Sequence, residues 1–327
     1  MKFLAEYVMR GRFQAITAVV GFAGLSLILQ PLSLLSGAAL ALVTLRVGPG
    51  AGFFIMAVAT AIVGALTAWA ADSPYLSLAF AVGLWLPVWI LAVVLRATIN
   101  LPLTLLVGTG LSLGGVLLLY LWLGNPTVLW EQVLDRLFSE AGMSTQMEQL
   151  RGELARSLTS LFAVFWFINA VGALLLGRWW QAMLYNPGGF KKEFLALHLS
   201  RWPAWVTVAL SVWAMVADGG VGTLPTDLAV VSLLPFAVAG ISLVHAWVEY
   251  KNASGWWLVP IYVLALVMLP QVLFTMALVG LSDSWVDWRR RWGGGPPAAP
   301  PPGREDGERL PPPEEKRDER DAPRVVA

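Results

Sequence analysis

From Phe13 to Leu281 the chain is a succession of apolar runs, each close to the length that crosses a bilayer, and that feature excludes most folds. A helical crossing takes about 20 mostly apolar residues. By that measure segments fall near 13–30, 32–45, 51–71, 76–95, 101–123, 157–178, 203–217, 227–248 and 256–281, the second and seventh being short. Hydrocarbon offers no partner for backbone amides, so each run must satisfy its own as a helix. Composition agrees: 57% of residues are hydrophobic and 13% charged, against about 25% charged in soluble domains. The expectation is an all-α, polytopic transmembrane helical bundle of eight or nine membrane segments over residues 1–292. Residues 293–327, rich in Pro and mixed charge, lack the apolar clusters needed to fold and are expected to form a disordered tail.

Lys and Arg of short loops stay on the cytoplasmic side. With the N-terminus inside and every segment crossing, Lys2, Arg10, Arg12, Arg46, Arg96, Arg178, Lys191, Lys192, Arg201 and Lys251 fall inside. Arg136, Arg151 and Arg156 fall outside, in a loop at 124–156 that reads as two amphipathic helices. The first carries Val128, Leu129, Val133, Leu134, Leu137 and Phe138 opposite Glu131, Asp135 and Arg136; the second follows Gly142, with Thr145 and Glu148 as a capping box, and runs into the next span. Nine crossings would put Arg289, Arg290 and Arg291 outside, against the rule. One late segment is therefore expected to dip without crossing, the best candidate being the run after Pro203, which makes the tail cytoplasmic and moves Lys251 outside. Lys2, Arg10 and Arg12 precede an apolar run with no cleavage site after it, which reads as an uncleaved first helix.

The longest polar interruption on the inside is an elbow at 178–202. Arg178, Trp179 and Trp180 close a span as interfacial residues do, with apolar rings beside a charge. Asn186-Pro187-Gly188-Gly189 then forms a tight reversal, and Lys191 and Lys192 follow, a surface suited to a cytoplasmic or membrane protein partner.

Within the spans, polar side chains are costly and so point to function or to helix pairing. Gln30, Asn169, His245, Glu249 and Gln271 are the candidates. His245 and Glu249, four apart, share a helix face and read as an interfacial hydrogen-bond pair, while mid-span Asn169 must find a partner in the bundle. Asp283, Trp285, Asp287, Trp288, Arg289 and Arg290 form an interfacial charge cluster after the last span; Asp283 and Asp287 have no further metal ligand nearby in sequence. Small residues recur at Ala57, Ala61 and Ala65, at Thr60, Gly64 and Ala68, and at Gly110 and Gly114, a spacing that reads as helix packing within the chain.

No cysteine is present and only two histidines, which removes thiolate chemistry and a histidine-only metal site. A net charge of +1 implies no nucleic-acid partner. Hydrolase, nucleotide-binding and dinucleotide-binding motifs are absent, so the reading is of a protein that is not an enzyme and carries no cofactor.

Three stretches together, PLSLLSGAALALVTLRVGPGAGF at 31–53, GRWWQAMLYNPGGFKKEF at 177–194 and GLSDSWVDWRRR at 280–291, resemble the DUF2232, or YybS-like, family of bacterial membrane proteins. The resemblance covers most of residues 13–291. The family is similar in its first spans to the substrate-binding S components of energy-coupling-factor transporters. It implies a multi-pass protein of the bacterial inner membrane, surrounded by lipid, able to hold a small ligand of unspecified kind. The alternative is a scaffold that recruits cytoplasmic factors through its elbow and tail.

Overall fold

The structure, a computed structural model, describes residues 1–71, 75–140, 147–217 and 222–292. Every regular element among them is helical. In chain order these are α1 (Lys2–Met9), α2 (Arg12–Leu25), α3 (Leu32–Arg46), α4 (Pro49–Ala71), α5 (Tyr75–Phe80), α6 (Leu86–Thr98), α7 (Leu101–Leu123), α8 (Pro126–Glu140), α9 (Met147–Tyr185), α10 (Gly189–Leu195), α11 (Arg201–Val216), α12 (Leu224–Tyr250), α13 (Val259–Val267), α14 (Leu269–Val286) and α15 (Trp288–Arg291). A π-helical turn, Ala81–Trp85, joins α5 to α6. Pro87 has no amide to offer the Gly83 carbonyl, and the wider turn before it brings Trp85 wholly into the core, where its indole N–H donates to Ser36 Oγ (3.0 Å).

Six stretches are long and apolar enough to cross a membrane: Pro49–Trp69, Ser77–Thr98, Leu101–Leu123, Arg151–Tyr185, Leu224–Tyr250 and Leu269–Val286. Arg12–Leu25, Leu32–Arg46 and Gly255–Val267 are apolar but shorter. Large apolar side chains such as Leu118, Leu121 and Trp122 on α7 stand exposed on the bundle, a surface suited to lipid. The chain is a multi-pass helical membrane protein. The tail at 293–327, Gly142 and Thr145 lie outside the described residues.

Contacts between helix ends set the chain directions. Arg96 on α6 donates to the Leu45 carbonyl, Arg46 lies 4.1 Å over the Tyr185 ring, Lys191 pairs with Glu249 (2.8 Å), and Arg289 donates to the Leu195 carbonyl (3.1 Å). These define a basic end of the bundle. At the other end Tyr120 reaches the Gly222 carbonyl (3.2 Å), and Trp130 on α8 donates to Thr159 (2.9 Å). Helix α9 has 39 residues and is about 58 Å long, so its first turns extend past the hydrocarbon and carry α8. On α8, Leu129, Leu134 and Phe138 are half-buried while Val128, Val133 and Leu137 stay exposed, as on a helix resting at a membrane surface.

Two expectations fail at the C-terminal end. The run at 256–281 is not one span: it breaks at Met268 (φ −131°, ψ 52°), because Pro270 cannot bond back to Leu266 and starts α14 instead. Leu273 lines the same cavity as Leu233 and Leu234, Gly280 lies beside Gly240, and Arg289 beside Ser242, so α12 and α14 run parallel and α13 returns the chain from the end of one to the start of the other. Nor is the run after Pro203 a dip. Helix α11 leaves the basic end at Arg201, and by Gly222 the chain is at the opposite end. Lys251 and Arg289–Arg291 therefore share the end that holds Lys191, and no basic cluster is stranded on the wrong side.

The small-residue reading holds only in part: Gly64 packs closely on Ser77 of α5, where an added Cβ would lie 3.1 Å from the Ser77 hydroxyl, but most of the other positions do not pack. Ala57, Ala61, Ala65 and Ala68 face outward on α4, and a Cβ on Gly110 or Gly114 would meet nothing within 4 Å. Closer helix contact occurs at Gly240 and Gly280, where an added Cβ would lie 1.9 Å from the Met276 carbonyl oxygen and 2.0 Å from that of Phe236. Gly177 makes a similar crossing on Ala38 and Ala41 of α3.

Candidate functional site

Asn169 lies on α9 at the wall of a cavity of about 620 Å³ between α3, α9, α12 and α14. Most of its lining is apolar, Leu34, Val164, Leu233, Leu273 and Ala277 among it, and the polar groups are Gln30, Ser160 and Asn169. Ser33 Oγ donates to Asn169 Oδ1 (2.8 Å), which fixes the amide and leaves its nitrogen as the donor for this cavity and for a smaller one of about 250 Å³ that it also borders. An apolar chamber with a few converging polar groups is the usual build of a small-molecule site. Gln271, the other polar residue of this region, is exposed on α14 and takes no part.

Next to the chamber is a carboxylate that the sequence reading missed. Asp227 is fully buried in the first turn of α12, where unpaired amides and the helix dipole favour an anion. Tyr120 donates to its Oδ2 (2.7 Å) and Ser160 to its Oδ1, so one chamber residue bonds it directly. Among the described residues no basic side chain pairs with it. In sequence Asp227 stands at the margin of an apolar run, where an acid reads as interfacial, and nothing local announces partners from α7 and α9.

At the basic end, Asn186, Pro187 and Gly188 make the expected reversal, with Gly188 at φ +83°. The residues around it do other things than anchor the chain in lipid. Arg178 holds Glu193 through both carboxylate oxygens and Gln181 through a third bond (3.1 Å), tying α9 to α10. Trp180 is wholly buried, so the expected interfacial pair splits and only Trp179, 38% exposed, remains at the surface. Trp179 borders a second cavity of about 740 Å³ together with Pro187, Gly188, Lys191, His245 and Glu249. His245 and Glu249 do not bond each other as expected. His245 Nδ1 lies 2.8 Å from the Ile241 carbonyl oxygen, which it can only approach as a donor, so Nε2 accepts from Tyr262 (2.9 Å). Glu249 turns instead to Lys191, and Lys192 and Gly189 complete the outer edge of the elbow.

The cluster after α14 proves to be partly internal. Asp283 is buried, its Oδ1 accepting from the Trp288 amide (2.9 Å) and its Oδ2 from Arg289. Arg289 also donates to Ser242 (3.0 Å); burial lowers its guanidinium from the ordinary value, and Asp283 opposes that. Asp287 ends α14 in a left-handed conformation and pairs with Arg290 (2.9 Å), while Trp285 packs edge-on against Trp205. His198 brings a third potential ligand beside Asp283 and Asp287. With both Asp283 oxygens engaged, a cation there would have to displace Arg289, and the geometry is that of an ion-pair lock.

No protein-family model matches the chain, and no curated protein or solved structure resembles it significantly.

Proposed function

We propose that the chain is a membrane subunit that binds a small, largely apolar solute in the chamber around Asn169, and that it is not an enzyme. The observation behind this reading is the chamber itself: about 620 Å³, apolar walls, and three polar groups, two from α9 and Gln30 from the turn before α3. The resemblance to DUF2232 proteins supports it, as does their likeness to S components. The gathering of basic residues at one end supports a cytoplasmic N-terminus, elbow and C-terminal arginines, and the resemblance to DUF2232 proteins supports a bacterial inner membrane. The chain has no nucleotide-binding motif, so uptake against a gradient would draw on a separate ATPase docked at the cytoplasmic face.

The elbow cavity favours a second reading, a scaffold that holds a protein partner. It is larger than the chamber, and Trp256 and Trp257 stand 78% and 66% exposed close to its rim at Gly255. Binding of a neutral aminoanthracene fluorophore to the purified full chain separates the two. The solute reading expects saturable binding that Ala277→Phe abolishes by filling the chamber and that Asn169→Leu weakens about five- to tenfold, the worth of one hydrogen bond. Binding unchanged by Ala277→Phe would place the probe elsewhere and leave the scaffold reading.

A further inference from the structure

A third cavity, of about 330 Å³, opens at the basic end between the last turns of α3, α6 and α9 and the start of α10. Arg46, Arg96 and Arg178 all line it, and Glu193 is the single acid among its lining residues. Each guanidinium has a partner. Arg46 lies 4.1 Å over the Tyr185 ring, Arg96 donates one bond to the Leu45 carbonyl, and Arg178 is clamped by Glu193 and Gln181. Glu193 neutralises Arg178, which leaves Arg46 and Arg96 with donors to spare.

Capping of helix ends accounts for part of this. Arg46 and Arg96 sit in the last turns of α3 and α6, whose terminal carbonyls each contribute roughly half a negative charge. Two arginines against the carbonyl ends of α3, α6 and α9 still leave a net positive charge in a pocket with unspent N–H groups. That attracts the single negative charge of a phosphodiester, and planar guanidinia suit its paired oxygens. Ile99 lines the same pocket and is 83% exposed, an apolar side chain at the place where an acyl chain would begin.

We propose that this pocket binds the phosphodiester headgroup of an anionic phospholipid. The site is independent of the solute chamber and stands whether or not that reading holds. Basic pockets between helices on one membrane face are a recurring way of holding such headgroups.

The test uses the detergent-solubilised full chain with phosphatidylglycerol, phosphatidylcholine or inorganic phosphate, read by native mass spectrometry and by the melting temperature. Phosphatidylglycerol is expected to be retained in preference to phosphatidylcholine and to raise the melting temperature saturably. Arg46→Gln and Arg96→Gln should each weaken it about fivefold, whereas Lys191→Gln with Lys192→Gln, on the same face but outside the pocket, should leave the preference unchanged. Equal retention of the two lipids, or a preference that survives the double arginine change, overturns the proposal. Saturable protection by inorganic phosphate alone would make the ligand a soluble phosphate and overturn the lipid assignment. If the double variant does not fold, Arg46→Lys decides: it keeps the charge and loses the planar fork, so an unchanged preference counts against the site and a reduced one supports it.

Discussion

Adding one methyl group at the crossing of α12 and α14 should loosen the structure far more than the same change on α7. A Cβ on Gly240 would lie 1.9 Å from the Met276 carbonyl oxygen, and one on Gly280 2.0 Å from that of Phe236. Carbon and carbonyl oxygen rest at about 3.3–3.6 Å, so the helices must part by about 1.5 Å. Both obstacles are backbone, and no side chain can swing away. Overpacking of this kind costs about 1–3 kcal/mol, and in the helix interior alanine would return about 0.5–1 kcal/mol over glycine. The steric cost should prevail, because the separation strips contact from the whole seam between α12 and α14. Gly240→Ala and Gly280→Ala are expected to destabilise by about 1–2 kcal/mol each, and Gly110→Ala and Gly114→Ala to be neutral or stabilising, since nothing lies within 4 Å of either. Reversible unfolding of the purified protein in mixed micelles reads the difference. If Gly240→Ala were as stable as Gly110→Ala, the close crossing of α12 and α14 would be wrong.

Asp227→Leu leaves the Tyr120 and Ser160 hydroxyls short of an acceptor and should cost about 1–3 kcal/mol, while Asp227→Asn, which keeps an acceptor, should cost less; equal melting temperatures would remove the cluster from the structural account. Arg289→Gln strands the buried Asp283 charge and should cost about 3–5 kcal/mol, much of it recovered when Asp283→Leu is added, and a double variant no more stable than the single would refute the lock. Gly188→Val forces a branched residue to φ +83°, at about 1–3 kcal/mol, whereas a Cβ at Gly189 meets only the mobile Asn186 amide; thermal melts should rank Gly188→Val below Gly189→Ala, and the reverse order would contradict the turn.

Hydropathy made the helices legible because lipid imposes the same demand on every span, and the elbow turn was readable from Asn-Pro-Gly-Gly chemistry alone. The helix break at Met268 was readable too, in Pro270 and in the arginines that a single span would have stranded, but a running average of hydropathy does not register a missing amide. Small residues misled for a different reason: spacing says which residues share a face and not which way the face points, so Ala57, Ala61 and Ala65 turned outward while the close contact fell to two glycines 40 positions apart. Asn169 was found from its depth in an apolar run. Its partner Ser33 was not, and neither was the Asp227 cluster, since the groups that make a buried polar residue tolerable come from helices distant in sequence.

The position of the elbow, Lys251 and the C-terminal arginines on one membrane face can be read directly, because the natural chain has no cysteine. Single changes Lys191→Cys, Lys251→Cys, Trp292→Cys, Asn125→Cys and Ser157→Cys would each be exposed in intact cells to a maleimide that cannot cross the membrane. Labelling is expected at positions 125 and 157 alone, with 191, 251 and 292 reacting only after the membrane is opened. Labelling of position 292 or 251 from outside would break the return of α13 and α14 and, with it, the shared basic end on which the proposed orientation in the membrane rests.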